Sequence, residues 1–269
     1  MLRHVDNVIR RGRWPRALCA VLLTLALSVG GCGSDDDERS SADGGELIVS
    51  AAQSLSPAFE AYGSELTAAD AQFSFAGSDE LAAQIRGGAR PDVFAAANTE
   101  LPDDLFREGL VEKPVLFTSN RLVLAVPGDG DKVRSLEDLT KQGIALAIGA
   151  EDVPIGTYTR KVLGGLSASM QKRILANVET EEPNVGGIAA KLTLHAADAG
   201  FLYITDVEAT NGRLEAIELP DGLQPRVAYG AAIVKGARNR EAARSFIDGL
   251  LDGAGAEELR DAGFEPPPT

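Results

Sequence analysis

From Glu46 onward the sequence alternates short apolar runs with longer segments of helical periodicity. This alternation predicts an α/β fold, because each apolar run has the length of a buried strand and each amphipathic segment can cover one face of a sheet. The apolar runs predicted to be strands are Leu47–Ala51, Phe73–Ala76, Asp92–Ala96, Asn120–Pro127, Ile144–Ile148, Phe201–Ile204 and Val227–Val234. We therefore expect mixed, mainly parallel sheets that are flanked by helices.

These elements fall into two βα groups, which over about 224 residues favour two lobes rather than one large core. Residues 46–119 and a C-terminal segment of about 250–269 are assigned to lobe 1, and residues 120–249 to lobe 2. The run Asn120–Pro127 is predicted to be a strand that passes between the lobes. Ligands of open α/β sheets gather beyond the carboxyl ends of the strands, so we expect a ligand cleft between the lobes.

The N-terminus has the pattern of a secretory signal over residues 1–31. Basic residues from Arg10 to Arg16 precede the apolar run Ala17–Val29, which is shorter than the roughly 20 residues that span a membrane. The run leads into Gly30-Gly31-Cys32, which resembles the bacterial lipobox, so Cys32 is predicted to be lipidated and to begin the mature protein. Residues 33–45 are densely charged and predict a flexible tether. The alternative is an ordinary signal peptide with an incidental cysteine.

The reactive residues give little support to catalysis. Of the two cysteines, Cys19 lies in the predicted signal and Cys32 at the predicted lipid site, so the mature domain would have no disulfide and no cysteine metal site. It would retain one histidine, His195, which argues against zinc chemistry and against a Ser-His or Cys-His pair. A serine hydrolase that uses Ser54 or Ser78 remains an alternative, although the sequence shows no histidine and acid pattern around either serine.

The charge of the chain excludes one class of partner. The formal net charge is −14, and it becomes −18 when residues 1–31 are removed. Nucleic acid is excluded, because its phosphates need a basic surface. A small anion would have to be held by local dipoles rather than by the net charge.

Three predicted βα junctions present small or hydroxyl residues where a helix begins, at residues 51–55, 75–79 and 153–157. A helix N-terminus exposes unpaired N–H groups and the positive end of the helix dipole, so each junction is a possible oxyanion site. A serine at a helix start is more often an N-cap than a ligand contact. The junctions carry weight only when they are considered together.

Considered together, these segments resemble the molybdate-binding proteins of bacterial ABC transporters. The similarity covers residues 46–265 in order, and its motifs are LIVSAAQSLSPAF (47–59), FAGSDELAAQI (75–85), GARPDVFA (88–95), DVPIGTYTRKVL (152–163), NVGGIAA (184–190), GFLYITDV (200–207) and YGAAIVKG (229–236). The resemblance implies a two-lobed periplasmic-binding-protein fold of type II. It also implies a monomeric, lipid-anchored extracytoplasmic protein that delivers molybdate or tungstate to a permease and an ATPase, without a cofactor and without catalysis.

In that family the oxyanion is held by neutral donors. Carried onto matching positions, the donors are the hydroxyl and amide groups of Ser54 and Ser78, the backbone N–H groups of Ile155 and Val185, and the hydroxyl of Tyr203. Without the resemblance, Tyr203 would be taken for a half-buried core residue. Such donors form charge-assisted hydrogen bonds to a dianion in a dry cleft.

Two positions depart from the family pattern. Asp79 stands where a neutral residue is common; we expect it to stabilise the helix N-terminus, and a carboxylate facing the cleft would instead repel a dianion. Ile155 is bulkier than the usual small residue, which affects the cavity volume more than the backbone donor. Alternative ligands are sulfate and phosphate, and an alternative class is a signalling or adhesion lipoprotein on the same scaffold.

Overall fold

A computed structural model describes residues 45–67 and 69–268 of the chain. The predicted signal, Cys32 and the tether up to residue 44 lie outside the described residues. The strands are β1 (Leu47–Ala52), β2 (Ala71–Ala76), β3 (Val93–Ala96), β4 (Val115–Asn120), β5 (Leu122–Pro127), β6 (Leu146–Gly149), β7 (Val178–Glu182), β8 (Ala199–Tyr203), β9 (Leu214–Glu218) and β10 (Val227–Ile233). The helices are α1 (Ser56–Glu65), α2 (Ser78–Arg86), α3 (Glu100–Arg107), α4 (Pro154–Gly164), α5 (Ala168–Leu175), α6 (Val185–Thr193), α7 (Ile204–Glu208), α8 (Arg240–Leu251) and α9 (Ala254–Asp261). None of the helices in these described ranges has the length and apolar character of a membrane span.

The strands form two five-stranded sheets with the same order of connections. The first sheet has the order β2-β1-β3-β10-β4 and the second the order β7-β6-β8-β5-β9. In each sheet the first three strands are parallel, and the last two join through antiparallel pairings. The predicted α/β class with mixed sheets and flanking helices is confirmed, with parallel and antiparallel pairings equally represented.

The chain passes between the sheets at two places. Strand β4 of the first sheet ends at Asn120 and strand β5 of the second sheet begins at Leu122, so a single residue makes the first crossing. The return crossing lies between β9 and β10, at residues 219–226. The sequence assigned residues 120–249 to lobe 2, but β10 pairs with β3 and β4, so the chain returns to the first sheet at Val227. The sequence predicts the strand Val227–Val234, but it does not show which sheet this strand joins, because its pairing partners are far away in sequence.

Two of the strands that the sequence did not predict share a physical feature. Strands β7 and β9 lie at the edges of the second sheet and have alternating exposed acids, with sequences VETEE and LEAIE. Strand β4 and helix α5 were also missed. Edge strands bury one face or less, so they lack the continuous apolar run that marks a central strand.

The parallel strands determine where a ligand can bind. Strands β1, β2 and β3 end at one edge of the first sheet, and β6, β7 and β8 end at the corresponding edge of the second. Buried apolar side chains such as Val49, Phe94, Ile148 and Phe201 anchor the central strands. The carboxyl ends of these strands, and the helices that follow them, are therefore held rigidly in position.

Candidate functional site

The carboxyl ends of the parallel strands of both sheets meet around a cavity of about 20 Å³. That volume exceeds the ~10–15 Å³ needed for one water molecule, so the cavity suits a single compact ion rather than an extended ligand. It is lined by Ala52, Gln53, Ser54, Ala76, Gly77, Ser78, Ala97, Val153, Pro154, Ile155, Pro183, Asn184, Val185 and Tyr203. All five residues that the sequence indicated as ligands lie on this wall, whereas their role as ligands stays a prediction.

Ser78 is held as a hydrogen-bond donor toward the cavity. It is the first residue of α2, it is 2% exposed, and its Oγ accepts a hydrogen bond from the backbone N–H of Ala97 at 3.1 Å. A backbone amide can only donate, so the Ser78 hydroxyl proton is free for another acceptor. The N–H of Ser78 also lacks a partner within its own helix, as every first-turn amide does.

Ser54 occupies the equivalent place after β1. It lies in a short 3₁₀ turn, Gln53–Leu55, that leads into α1. Its Oγ is 3.0 Å from the hydroxyl of Tyr229, and the side chain is 4% exposed. Pro57 falls within the first turn of α1, where its missing N–H costs no hydrogen bond.

The second sheet contributes two helix N-termini. Ile155 is the second residue of α4, after Pro154, and Val185 is the first residue of α6. The side chain of Asn184 caps α6 by accepting from the N–H of Gly187 at 3.2 Å, which leaves the N–H of Val185 for another acceptor. At Gly156 an added Cβ would overlap the carbonyl of Ala150, so this close approach of the helix start to the preceding loop requires glycine.

Tyr203 supplies a hydroxyl that has no partner. Its Oη is buried without a hydrogen bond to any of the described residues, and the side chain is fully buried. Edge-to-face contacts with Tyr158 and Tyr229, at centroid distances of 6.4 and 5.9 Å, hold the ring. Burial raises the pKa of this hydroxyl well above its usual value, so it stays protonated. An unsatisfied buried hydroxyl costs about 1–3 kcal/mol, which a bound acceptor would offset.

The cavity wall is uncharged. Among the described residues that line it there is no Lys, Arg, His, Asp or Glu. Asp79 is not on the wall, but its Oδ1 is buried beside Gly77 without a partner among the described residues. Burial and, to a smaller extent, the negative charge of Asp152 raise the pKa of Asp79. The carboxylate therefore lies beside the wall residue Gly77, outside the lining of the cavity.

A larger neighbouring pocket is chemically different. It has a volume of about 370 Å³ and shares Gln53, Ser54 and Val185 with the small cavity. Three acids, Asp206, Glu208 and Asp261, line it. Burial raises the pKa of Asp206 to about 7, so this carboxyl is partly ionised at neutral pH. An anion is repelled there, and the uncharged cavity is the better candidate for an anion site.

The arrangement favours binding over catalysis. The serines on the wall have no general base among the residues that line the cavity with them, so nothing there activates a nucleophile. Over residues 45–67 and 69–268, no group of three or more His, Cys, Asp or Glu side chains could hold a metal ion. The wall can donate several hydrogen bonds to one small anion.

Sequence reasoning missed the residues behind the wall. Tyr229 and Asn120 contact each other and Ser54 or Thr205, yet they come from different elements. Ser54 and Tyr229 are separated by 175 positions. No local pattern marks such a contact.

The sequence profile of a known family matches residues 47–265; the family is described as bacterial extracellular solute-binding protein. The molybdate-binding protein ModA of Mycobacterium tuberculosis H37Rv is 31% identical over 246 residues, covering 88% of this chain and 92% of that protein. The putative ABC transporter substrate-binding lipoprotein YvgL of Bacillus subtilis is 27% identical, with coverage of 90% and 95%. The periplasmic molybdate-binding protein of Azotobacter vinelandii superposes with a TM-score of 0.74 at 20% identity, covering 82% of this chain and 100% of its own.

Proposed function

The chain belongs to the family of bacterial extracellular solute-binding proteins, and from this membership we propose that it is the substrate-binding component of an ABC importer for molybdate or tungstate. The ligands would be Ser54, Ser78, Ile155, Val185 and Tyr203. The protein would act as a monomer and deliver its ligand to a permease and an ATPase.

The observation that carries this proposal is the uncharged, donor-rich wall of the small cavity. Ser78 Oγ accepts from a backbone amide and keeps its proton for a ligand, Tyr203 has an unpartnered hydroxyl, and Val185 offers a helix N-terminal amide. A tetrahedral dianion presents acceptors in several directions and needs no proton acceptor from the site. Short charge-assisted bonds to fixed dipoles hold such an ion without a cationic side chain.

Ligand size decides between the tetrahedral oxyanions. A rigid cavity set for the larger molybdate or tungstate makes longer hydrogen bonds to sulfate. Phosphate carries a proton near neutral pH and needs an acceptor. The names of ModA in M. tuberculosis and of the A. vinelandii protein support molybdate for this chain as well.

Calorimetric titration tests the ligand. We expect molybdate and tungstate to bind at least 100-fold more tightly than sulfate or phosphate, a difference of about 2.7 kcal/mol that the loss of one or two charge-assisted hydrogen bonds would produce. Equal affinity for all four ions would contradict the assignment. Tight binding of sulfate or phosphate alone would replace it with the alternative ligand.

The serines are expected to contribute to affinity more than to stability. Ser78→Ala and Ser54→Ala should each weaken molybdate binding by about 1.5–3 kcal/mol, the range for a hydrogen bond to a charged group. The free energy of unfolding without ligand should fall by about 1 kcal/mol, the net contribution of one hydrogen bond, because each hydroxyl makes one with the rest of the protein. Titration and chemical denaturation measure the two quantities, and unchanged affinity in both variants would remove the first-sheet half of the site.

We also propose that the two sheets act as lobes that close over the ligand. Lobe 1 would comprise the first sheet with α8 and α9, and lobe 2 the second sheet. The crossings at Arg121 and at residues 219–226 would serve as the hinge, because they are the connections between the sheets.

The N-terminus supports anchoring to the membrane. The predicted signal ends at Gly31, the lipobox-like Cys32 follows it, and the similar YvgL is named a putative lipoprotein. We expect Cys32→Ser to release the protein from the membrane fraction and to leave molybdate affinity unchanged, since the tether separates the anchor from the fold. Fractionation with labelled fatty acid measures this. Membrane retention of the variant, together with an unlabelled wild type, would contradict the lipoprotein assignment.

A further inference from the structure

A chain of buried polar side chains leads from the crossing between the sheets to the cavity. Asn120 ends β4, and its Nδ2 lies 2.9 Å from Thr205 Oγ1 and 3.5 Å from Tyr229 Oη. The Tyr229 hydroxyl in turn lies 3.0 Å from Ser54 Oγ. Asn120, Tyr229 and Ser54 are all less than 5% exposed, so water does not compete for these hydrogen bonds.

The hydrogen bonds that link the side chains of Asn120, Tyr229 and Ser54 run in one direction. The Oδ1 of Asn120 accepts from the backbone N–H of Arg121 at 2.9 Å, which fixes the orientation of the amide because a backbone N–H cannot accept. The Nδ2 group of Asn120 therefore faces Tyr229 and donates to its hydroxyl oxygen. Among the described residues, Asn120 and Ser54 are the hydrogen-bond partners of the Tyr229 hydroxyl, and Asn120 Nδ2 can only donate, so we assign the Tyr229 proton to Ser54; the Ser54 proton is then left for the cavity.

The other serine of the wall reaches the same state by a different route. Ser78 accepts from the backbone N–H of Ala97, so no side-chain substitution can reverse its direction. The direction at Ser54 depends on the side chains of Tyr229 and Asn120. Neither of these residues is on the cavity wall. Their hydrogen bonds reach the wall at Ser54, whereas the Tyr229 ring also packs against the wall residue Tyr203, a contact that a phenylalanine would keep.

We propose that Tyr229 and Asn120 are positioning residues that hold the Ser54 hydroxyl as a donor toward the cavity and thereby exclude oxyanions that carry a proton. The inference rests on the proposed function, in which Ser54 binds the anion. Molybdate and sulfate are fully deprotonated and accept from every donor. Phosphate brings its own O–H, which meets donors on all sides and stays unpaired at the cost of a buried polar group.

Tyr229→Phe removes the proton that Ser54 accepts. Ser54 can then rotate and offer a lone pair to the ligand, whereas the cavity volume stays the same because Tyr229 does not line it. We expect molybdate to bind about tenfold more weakly and phosphate to bind no more weakly than in the wild type, so the preference for molybdate over phosphate falls about tenfold. The preference for molybdate over sulfate should stay within about threefold, because size alone sets it and neither ion carries a proton.

Tyr62→Phe is the matched control. Tyr62 is also a buried tyrosine of the first sheet's side of the fold, and its hydroxyl donates to the carbonyl of Phe246 at 3.3 Å, but it does not contact the cavity. The Tyr62→Phe variant should lose stability as Tyr229→Phe does, but its preferences for molybdate over phosphate and for molybdate over sulfate should be unchanged. An equal fall of the preference for molybdate over phosphate in both variants would overturn the inference.

A double-mutant cycle separates positioning from a structural effect. In the Ser54→Ala background, Tyr229→Phe should not alter the preference for molybdate over phosphate further, because the hydroxyl that Tyr229 orients is gone. If Tyr229→Phe does not fold, Asn120→Asp provides the second test. A carboxylate at position 120 accepts a hydrogen bond from Tyr229, which reverses the direction of the hydrogen bonds from Asn120 to Ser54. Two results would overturn this inference alone: additive effects of the two substitutions on the preference for molybdate over phosphate, or an unchanged preference in a folded Tyr229→Phe variant. A wild type that binds no tetrahedral oxyanion would overturn the proposed function as well.

Discussion

Ser78→Asp is expected to abolish the binding of molybdate and of every other dianion. The substitution removes a buried hydroxyl donor from the cavity wall and places a carboxylate there instead. Two like charges about 4 Å apart repel by about 4 kcal/mol even at an effective dielectric constant of about 20, and each dianion carries twice the charge. We expect no detectable heat in a molybdate titration, while circular dichroism reports an intact fold. Retained binding would place the anion elsewhere.

Asp79→Asn is the matched control one position along the same helix. Asp79 does not line the cavity, and burial, with a smaller contribution from the charge of Asp152, raises the pKa of its carboxyl group. We expect molybdate affinity within about tenfold of wild type, because a charge beyond the wall is partly screened. A large gain in affinity would show that the Asp79 carboxylate faces the anion, and that the natural ligand is protonated or paired with a cation.

Val185→Pro is expected to weaken molybdate binding about 100-fold or more. Val185 is the first residue of α6, where proline fits the helix and only removes an N–H that has no partner in the helix. The preceding Asn184 has φ −162° and ψ 174°, an extended conformation that a following proline tolerates. The proline ring also occupies the space through which the N–H would reach the anion, so a lost charged hydrogen bond is combined with steric exclusion.

Ala168→Pro provides the control for this backbone test. Ala168 is the first residue of α5, it is exposed, and Ser167 before it is extended, with φ −61° and ψ 146°. It does not line the cavity, so molybdate affinity should be unchanged. Both variants should melt within a few degrees of wild type. Equal affinity in Val185→Pro and wild type would exclude the Val185 amide as a ligand.

The central parts of the fold could be predicted from local sequence. Strands β1, β3 and β8 are continuous apolar runs, since burial on both faces leaves no polar alternation. Edge strands β7 and β9 were missed, because their acidic side chains alternate toward solvent. The boundary of the second lobe was placed near residue 250, because β10 has the composition of any buried strand and only its pairing with β3 and β4 shows which sheet it joins.

Local sequence is enough to predict where helices begin after strands, and therefore which amides and hydroxyls are available to an anion. Those are local properties of a few consecutive residues, as at Gly77-Ser78 and at Asn184-Val185. Three features become visible only once the chain is folded: these groups share one uncharged cavity, Asp79 does not line it, and Tyr229 lies against Ser54 from 175 positions away. The physical reason is that hydrogen-bond direction and burial depend on groups that the chain brings together only when both sheets have formed.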